Sequence, residues 1–330
     1  MPTISKVALA GASGSLGKPV LEHLLGSNFT VTVLTREDST STFPEGVKVV
    51  KVDYTSEKNL TVALQGQDAL ISTLATEVIS SQDILIKAAI AARVYRIIPS
   101  EFGSDTFLEA NKKLPVYFQK IAIQKLLEEG VKDTNGEVIY TFVLNSIFLD
   151  WAIDYGFLID AKNKKLVLYD GGKTPYSTTP LHAIAKGVVG ALKHPEETAN
   201  RAVRIHGAVL TQKRLLELGK KALGEEGWTV TERSTEDGMK EGFEIFKREP
   251  GKVMEWALKM LESAVFSSKH TPEFADVDNK LLGVPDVDDA EIIRLHQTRG
   301  GDLVDQIRVG CVVWIAKVLS RFVRSDIKHA

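Results

Sequence analysis

Residues 7 to 26 read VALAGASGSLGKPVLEHLLG. The apolar run that leads into them, ISKVALA over residues 4 to 10, is short and stopped by glycine, so it reads as a buried strand. KPVLEHLLGS then sets Val20, Leu21, Leu24 and Leu25 on one face of a helix. Between strand and helix lie Gly11, Gly14 and Gly17, spaced GxxGxxG, where the commoner spacing is GxGxxG. Gly11 permits the tight turn, Gly14 lets a pyrophosphate approach the backbone, and Gly17 lets the helix pack closely on the strand. The helix start offers unpaired N–H groups and a positive dipole end to phosphates, and Ser13, Ser15 and Lys18 can add hydroxyl and ammonium contacts. In this setting the glycines predict dinucleotide binding.

The alternation continues downstream. FTVTVLTR, VKVVKVD, DALISTLA, YRIIPSEF and VIYTFVLN read as strands, with helices in NLTVALQG, from about Ser81 to Arg93 and near Val116 to Glu129. Strands separated by helices imply parallel pairing with right-handed crossovers, and about six strands is the count of a doubly wound dinucleotide fold. After Asn145 the pattern changes to longer helical segments, isolated strands such as KLVLYD and AVRIHG, and turn clusters such as DGGKTP. The expected architecture is α/β: a doubly wound parallel Rossmann sheet over residues 1–150, binding NADP, intertwined with a smaller, mostly helical C-terminal substrate-binding domain over 151–330. Two late amphipathic helices, VMEWALKMLESAVF and IRVGCVVWIAKVLSRFV, are expected to face the core or a lid. A homodimer contact or a membrane surface is the alternative use of their apolar stripes.

Composition narrows the function classes. The 330 residues are 44% hydrophobic and 25% charged, with a formal net charge of -2, as in an ordinary globular enzyme. No long basic block is present, so a nucleic-acid partner is not expected. The single cysteine, Cys311, allows neither an internal disulfide nor a thiolate-rich metal site, which points to a reducing compartment and a cytoplasmic location. The seven histidines show no HxxxH or HxH spacing, so no catalytic metal is expected. Neither a secretory signal nor a run of the roughly 18 apolar residues needed for a membrane span appears. Ser72 and Ser100 lack a GxSxG elbow, which disfavours an acyl-enzyme hydrolase.

Cofactor choice turns on the end of the second strand, Thr35-Arg36-Glu37-Asp38. An acidic residue there binds a ribose diol, whereas an arginine accepts a 2′-phosphate. Arg36 is the nearer residue and its planar fork suits phosphate, which favours NADP over NAD; a solvated surface arginine is the plainer reading. Asp53, closing VKVVKVD, suits either the adenine amino group or a cap on the following helix. IIPSEFG, residues 97 to 103, places Ser100 and Glu101 at the carboxyl edge of the sheet, where ligands bind in such folds. Lys120 follows on the next helix, where most lysines are simply solvated. His182, after YDGGKTPYSTTPLH, reads as a helix-start residue.

These blocks resemble the isoflavone reductase-like, NmrA-like branch of atypical short-chain dehydrogenases, especially its fungal members. The resemblance rests on GASGSLGK at 11 to 18, Arg36, DALISTL at 68 to 74, IIPSEFG at 97 to 103, YFQKIAIQKLLEE at 117 to 129, YTFVLNSIFLDW at 140 to 151 and YDGGKTPYSTT at 169 to 179. The blocks keep the family's order to about residue 235, and the remaining residues match only loosely. The resemblance implies a Rossmann domain with a smaller C-terminal domain and NADPH-dependent reduction of phenolic small molecules. It places cofactor contacts on Gly11, Ser13, Gly14, Gly17, Lys18 and Arg36, and the active-site lysine on Lys120. The wider superfamily pairs tyrosine and lysine as YxxxK, but Tyr117 and Lys120 make YxxK, which changes their relative angle on a helix. Tyr117 is therefore a weak proton donor. The plant SNFF block appears here as NSIFLDW, a departure at the substrate side.

The reaction then expected is reduction of a small aromatic or enone-like metabolite. The nicotinamide would lie near Leu74, Pro99 and the Lys120 helix, with Lys120 as general acid or base, its pKa lowered by burial. Phe148, Trp151 and Phe157 would wall the substrate; core packing between the domains is the alternative reading. The rival class is a non-catalytic NADP-sensing regulator acting through a protein partner, which needs the glycines and Arg36 but no lysine at position 120. An epimerase or isomerase using NADP transiently is a third.

Overall fold

The computed structural model describes residues 2–74, 82–271 and 273–299. In β1 (Lys6–Ala10), Val7 and Leu9 point to one face and Ala8 and Ala10 to the other, and all four are fully buried. A strand can be apolar on both faces only where helices cover both. α1 (Gly17–Gly26) and α6 (Leu181–Lys193) pack on the Val7 and Leu9 side, using Val20, Leu24, Ile184 and Val188. On the Ala8 and Ala10 side lie α2 (Glu57–Leu64), α3 (Gln82–Ala91) and α4 (Phe118–Gly130), which bring Leu60, Leu85 and Leu127.

With β1 run β2 (Thr30–Arg36), β3 (Lys48–Val52), β4 (Ala69–Ser72), β5 (Arg96–Ile98), β6 (Ile139–Leu144) and β10 (Arg201–Arg204) in one sheet. The order is β10-β6-β5-β4-β1-β2-β3 and every pairing is parallel. This is the expected doubly wound Rossmann sheet, with its switch point between β1 and β4.

Two strands expected to be isolated are not. AVRIHG supplies β10, which pairs with β6 from Arg201 opposite Thr141 to Arg204 opposite Leu144. It is short and carries arginine at both ends, so its own pattern gives no sign of a buried neighbour. KLVLYD supplies β8 (Lys165–Tyr169), which pairs in parallel with β12 (Thr229–Arg233). The chain thus leaves the large sheet after β6, builds other structure, and returns through α6 to add the last strand.

The excursion and the C-terminal residues form the second layer. β7 (Ile147–Phe148), β9 (Tyr176–Thr179) and β11 (Ala208–Leu210) make a three-stranded sheet. The helices are α5 (Leu149–Asp154), α7 (Gln212–Leu223), α8 (Thr235–Arg248), α9 (Val253–Val265), α10 (Asn279–Leu282) and α11 (Asp289–Arg299). VMEWALKMLESAVF forms α9, whose Trp256 and Met260 are buried with Ile245 of α8. The second late stripe, with Cys311, lies outside the described residues. α10 docks on α6 at Gly190, where a Cβ would sit 2.3 Å from the Leu282 carbonyl oxygen. Only glycine lets the two backbones meet so closely. No described helix is long and apolar enough to cross a membrane.

Candidate functional site

The loop after β1 is fixed by what its glycines touch. Gly11 adopts φ +84°, and a Cβ there would lie 2.6 Å from the Thr73 carbonyl oxygen. The Thr73 backbone N–H and Oγ1 both donate to the Ala10 carbonyl at 2.9 Å, clipping the end of β4 to the end of β1 at the switch point. Gly17 is needed for a different contact from the expected one: a Cβ would stand 2.0 Å from the Gly11 carbonyl oxygen, so it makes room for the loop's own backbone and not for the strand. Gly14 is looser: a Cβ there would make a tight contact at 3.3 Å with the Gly11 carbonyl oxygen, and Ser13, Gly14, Ser15 and Lys18 are exposed. Leu16, at the N-cap of α1, supplies no side-chain acceptor to the helix start. A cleft of about 560 Å³ opens beside the loop, lined by Ser15, Lys18, His182, Glu291 and Arg294 among others. His182 is the second residue of α6, as expected, with Nε2 3.8 Å from Glu291 Oε1.

Arg36 ends β2 with its side chain 66% exposed and paired with Asp38, Nε to Oδ1 at 3.4 Å. An exposed pair of this length contributes little and leaves the guanidinium available. Asp53 does not cap the next helix, because Ser56 does so by accepting from the Asn59 N–H. Its carboxylate instead accepts from the Thr55 N–H at 2.8 Å and the Thr55 hydroxyl at 2.6 Å, and those bonds hold it below the ordinary carboxylate range. Leu74 is buried, and its carbonyl accepts from Ser100 Oγ at 2.7 Å.

Lys120 lies in the first turn of α4, which the turn Pro115–Tyr117 aims along the sheet's carboxyl edge. Its Nζ donates to the carbonyls of Glu101 and of Phe102, the latter at 2.8 Å. Burial pulls its pKa below the usual lysine value, and the Glu101 charge works in the opposite direction. Gly103, at φ +134°, keeps one approach open, since a Cβ there would lie 3.3 Å from Nζ. Glu101 is 1% exposed, and one carboxyl oxygen, Oε1, accepts from Thr106 Oγ1 and from Gln124 Nε2. Oε2 accepts from none of the described residues. Tyr117 is buried against Leu114 and Ala264, donates to Ser104 Oγ at 3.0 Å, and has its phenol pushed up to about 12 by burial.

The structure therefore brings Lys120, Glu101 and the PSEFG turn together. It separates the three aromatic candidates: Phe148 packs on the core under α1 and α6, whereas Trp151 and Phe157 pack on the core of the second layer. Each is half-buried, and Trp151 stacks on Tyr155 with centroids 4.5 Å apart. Thr106 and Gln124 escaped the sequence reading. Gln124 had a usable signal, since it stands four residues after Lys120 on one helix and so shares its face.

A model described as the NmrA-like family matches residues 3–237. The oxidoreductase poxI of Penicillium oxalicum is 32% identical over 295 residues, 86% of this chain and 91% of that protein. Among solved structures, an isoflavone reductase aligns with a TM-score of 0.66 at 22% identity, over 88% of this chain and 99% of that one. The binary complex of leucoanthocyanidin reductase with NADPH, from Vitis vinifera, aligns with a TM-score of 0.69 at 18% identity, over 90% and 99%. At these identities the two structures speak for the shared fold.

Proposed function

Since this chain belongs to the NmrA-like family, we propose that it is an NADPH-dependent reductase of a small aromatic or enone-like metabolite, with Lys120 handling the proton. The observation that carries this reading is a lysine packed into the ligand edge of a dinucleotide sheet, its Nζ on the PSEFG carbonyls. A regulator that only senses NADP has no use for it. The oxidoreductase relative and the NADPH complex of the structural neighbour support the same class.

The residues present fit the cofactor. Ser13, the exposed Gly14, Ser15 and the uncapped start of α1 suit the pyrophosphate, with Gly11 and Gly17 shaping the turn and Lys18 beside it. Arg36 suits the 2′-phosphate, Asp53 flanks the adenosine side, and Leu74 lines the path toward Lys120. Bound there, a reduced nicotinamide supplies the hydride. Lys120 holds or gives the proton at the substrate oxygen. Trp151 and Phe157, half-buried in the second layer, remain the aromatic candidates for substrate contact there, while Phe148 packs on the other core.

Cofactor preference checks the Arg36 assignment. NADPH is expected to bind wild type more tightly than NADH, and Arg36→Ala to weaken NADPH by about 1.5–3 kcal/mol, the worth of a charge-assisted contact. Equal wild-type affinities in calorimetry would remove Arg36 from the site. The substrate class is tested by NADPH oxidation across phenolic, quinoid and enone compounds, with products identified. Tight NADP binding with no turnover on any of them, together with a captured protein partner, would instead favour the regulator.

A further inference from the structure

A buried carboxyl group with one oxygen bonded and the other bare is costly unless something charged nearby uses it. Glu101 is such a group. Thr106 Oγ1 and Gln124 Nε2 clamp Oε1, Gln124 Nε2 also donates to Thr106 Oγ1 at 2.6 Å, and Oε2 has no donor among the described residues. The same residue's backbone carbonyl holds the ammonium of Lys120. One residue thus touches the lysine through its main chain and carries a side-chain carboxyl held in place by two donors. Glu101, Phe102 and Tyr117 are 1%, 6% and 4% exposed, whereas Lys120 is half-buried.

We propose that Glu101 is the positioning residue for the Lys120 proton: its clamped carboxylate is the counter-charge that favours the Lys120 ammonium at this half-buried site, and Thr106 and Gln124 keep the carboxylate in place. The proposal deepens the reductase reading and rests on it only for the consequence in turnover. The electrostatics of the pair stand by themselves.

Burial is the larger influence on both groups: it holds the Lys120 pKa below and the Glu101 pKa above the ordinary value, while Lys120, Thr106 and Gln124 pull Glu101 back down and Glu101 pulls Lys120 back up. The other charged neighbour is Asp105, which raises Glu101 further and is itself paired with Arg204 at 2.7 Å. The buried phenol of Tyr117 completes the titratable set around the pair. Without the Glu101 charge, only desolvation acts on Lys120, so its ammonium is lost at a lower pH. An opposite charge at short range is worth about one to three pH units.

The test reads the proton directly. In the full-length protein without cofactor, the lysine ¹³Cε resonances are titrated by NMR, with the Lys120 signal assigned by its loss in Lys120→Met. In wild type that signal should carry a second inflection where Glu101 titrates, and in Glu101→Gln its pKa should fall by about one unit or more. Thr106→Val, which removes one clamp and leaves every charge in place, should lower it by less, and it serves if Glu101→Gln fails to fold. Wild type with a single inflection, or a Lys120 pKa unmoved in the folded variants, would overturn the proposal. With a substrate in hand, the alkaline limb of the kcat profile should move to lower pH in Glu101→Gln. A shifted Lys120 pKa beside an unshifted kcat profile would uphold the pairing and count against Lys120 as the proton donor, so the two readings fail separately.

Discussion

Lys120→Met should lower turnover by about 10²- to 10⁴-fold, the typical contribution of a positioned acid or base, while NADPH affinity changes far less. Methionine keeps most of the apolar stem of the half-buried lysine and loses only the ammonium. The carbonyls of Glu101 and Phe102 then lose their donor, and Glu101 loses its counter-charge. That leaves buried acceptors unpaired, at about 1–3 kcal/mol, so some fall in thermal stability is expected too. Steady-state kinetics with the best panel substrate and calorimetry with NADPH separate the two effects. Turnover within a few-fold of wild type would make Lys120 a structural clamp on the PSEFG turn.

Gly14→Val should abolish NADPH binding in a protein that still folds. A Cβ at this position would lie 3.3 Å from the Gly11 carbonyl oxygen, a tight contact that a shift of a few tenths of an ångström in the loop relieves. The two γ-carbons would then stand over the exposed Ser13–Ser15 face and the start of α1, the surface a pyrophosphate needs. Calorimetry should show no heat of NADPH binding, with the circular dichroism spectrum unchanged. Wild-type affinity would move the phosphate site away from this loop. Gly17 offers no such experiment, because a Cβ 2.0 Å from a backbone oxygen displaces the loop itself.

Much of the large sheet was legible because its signals are local. The glycines, the apolar strands and the 3.6-residue helical periods each fall within one element, and the all-parallel order follows from their alternation. β10 was not legible as a sheet member, since four residues with arginine at each end carry no mark of their partner. At Asp53 the pattern leaves two readings open because cap and turn chemistry use the same residue types, and the structure excludes the cap, which lies three positions on at Ser56. At the candidate site, Lys120 and PSEFG stood out as residues, but the Glu101–Thr106–Gln124 cluster depends on the path of the loop between β5 and α4. A single sequence pattern does not record which way a buried carboxyl turns. The aromatic trio shows the converse, since Phe148, Trp151 and Phe157 lie close in sequence yet serve two different cores.

The late return of the chain to the sheet bears on how the protein is made. Translation delivers β6, with all six residues buried in the finished protein, well before β10. At about 5–20 residues per second, several seconds of synthesis separate an exposed apolar sheet margin from the strand that closes it, and α6 arrives only just ahead of that strand. A nascent chain in this interval carries an open strand edge, the kind of surface that recruits other chains. The same reasoning makes a fragment ending near residue 150 a poor expression product: released from the ribosome, it would hold that incomplete margin permanently.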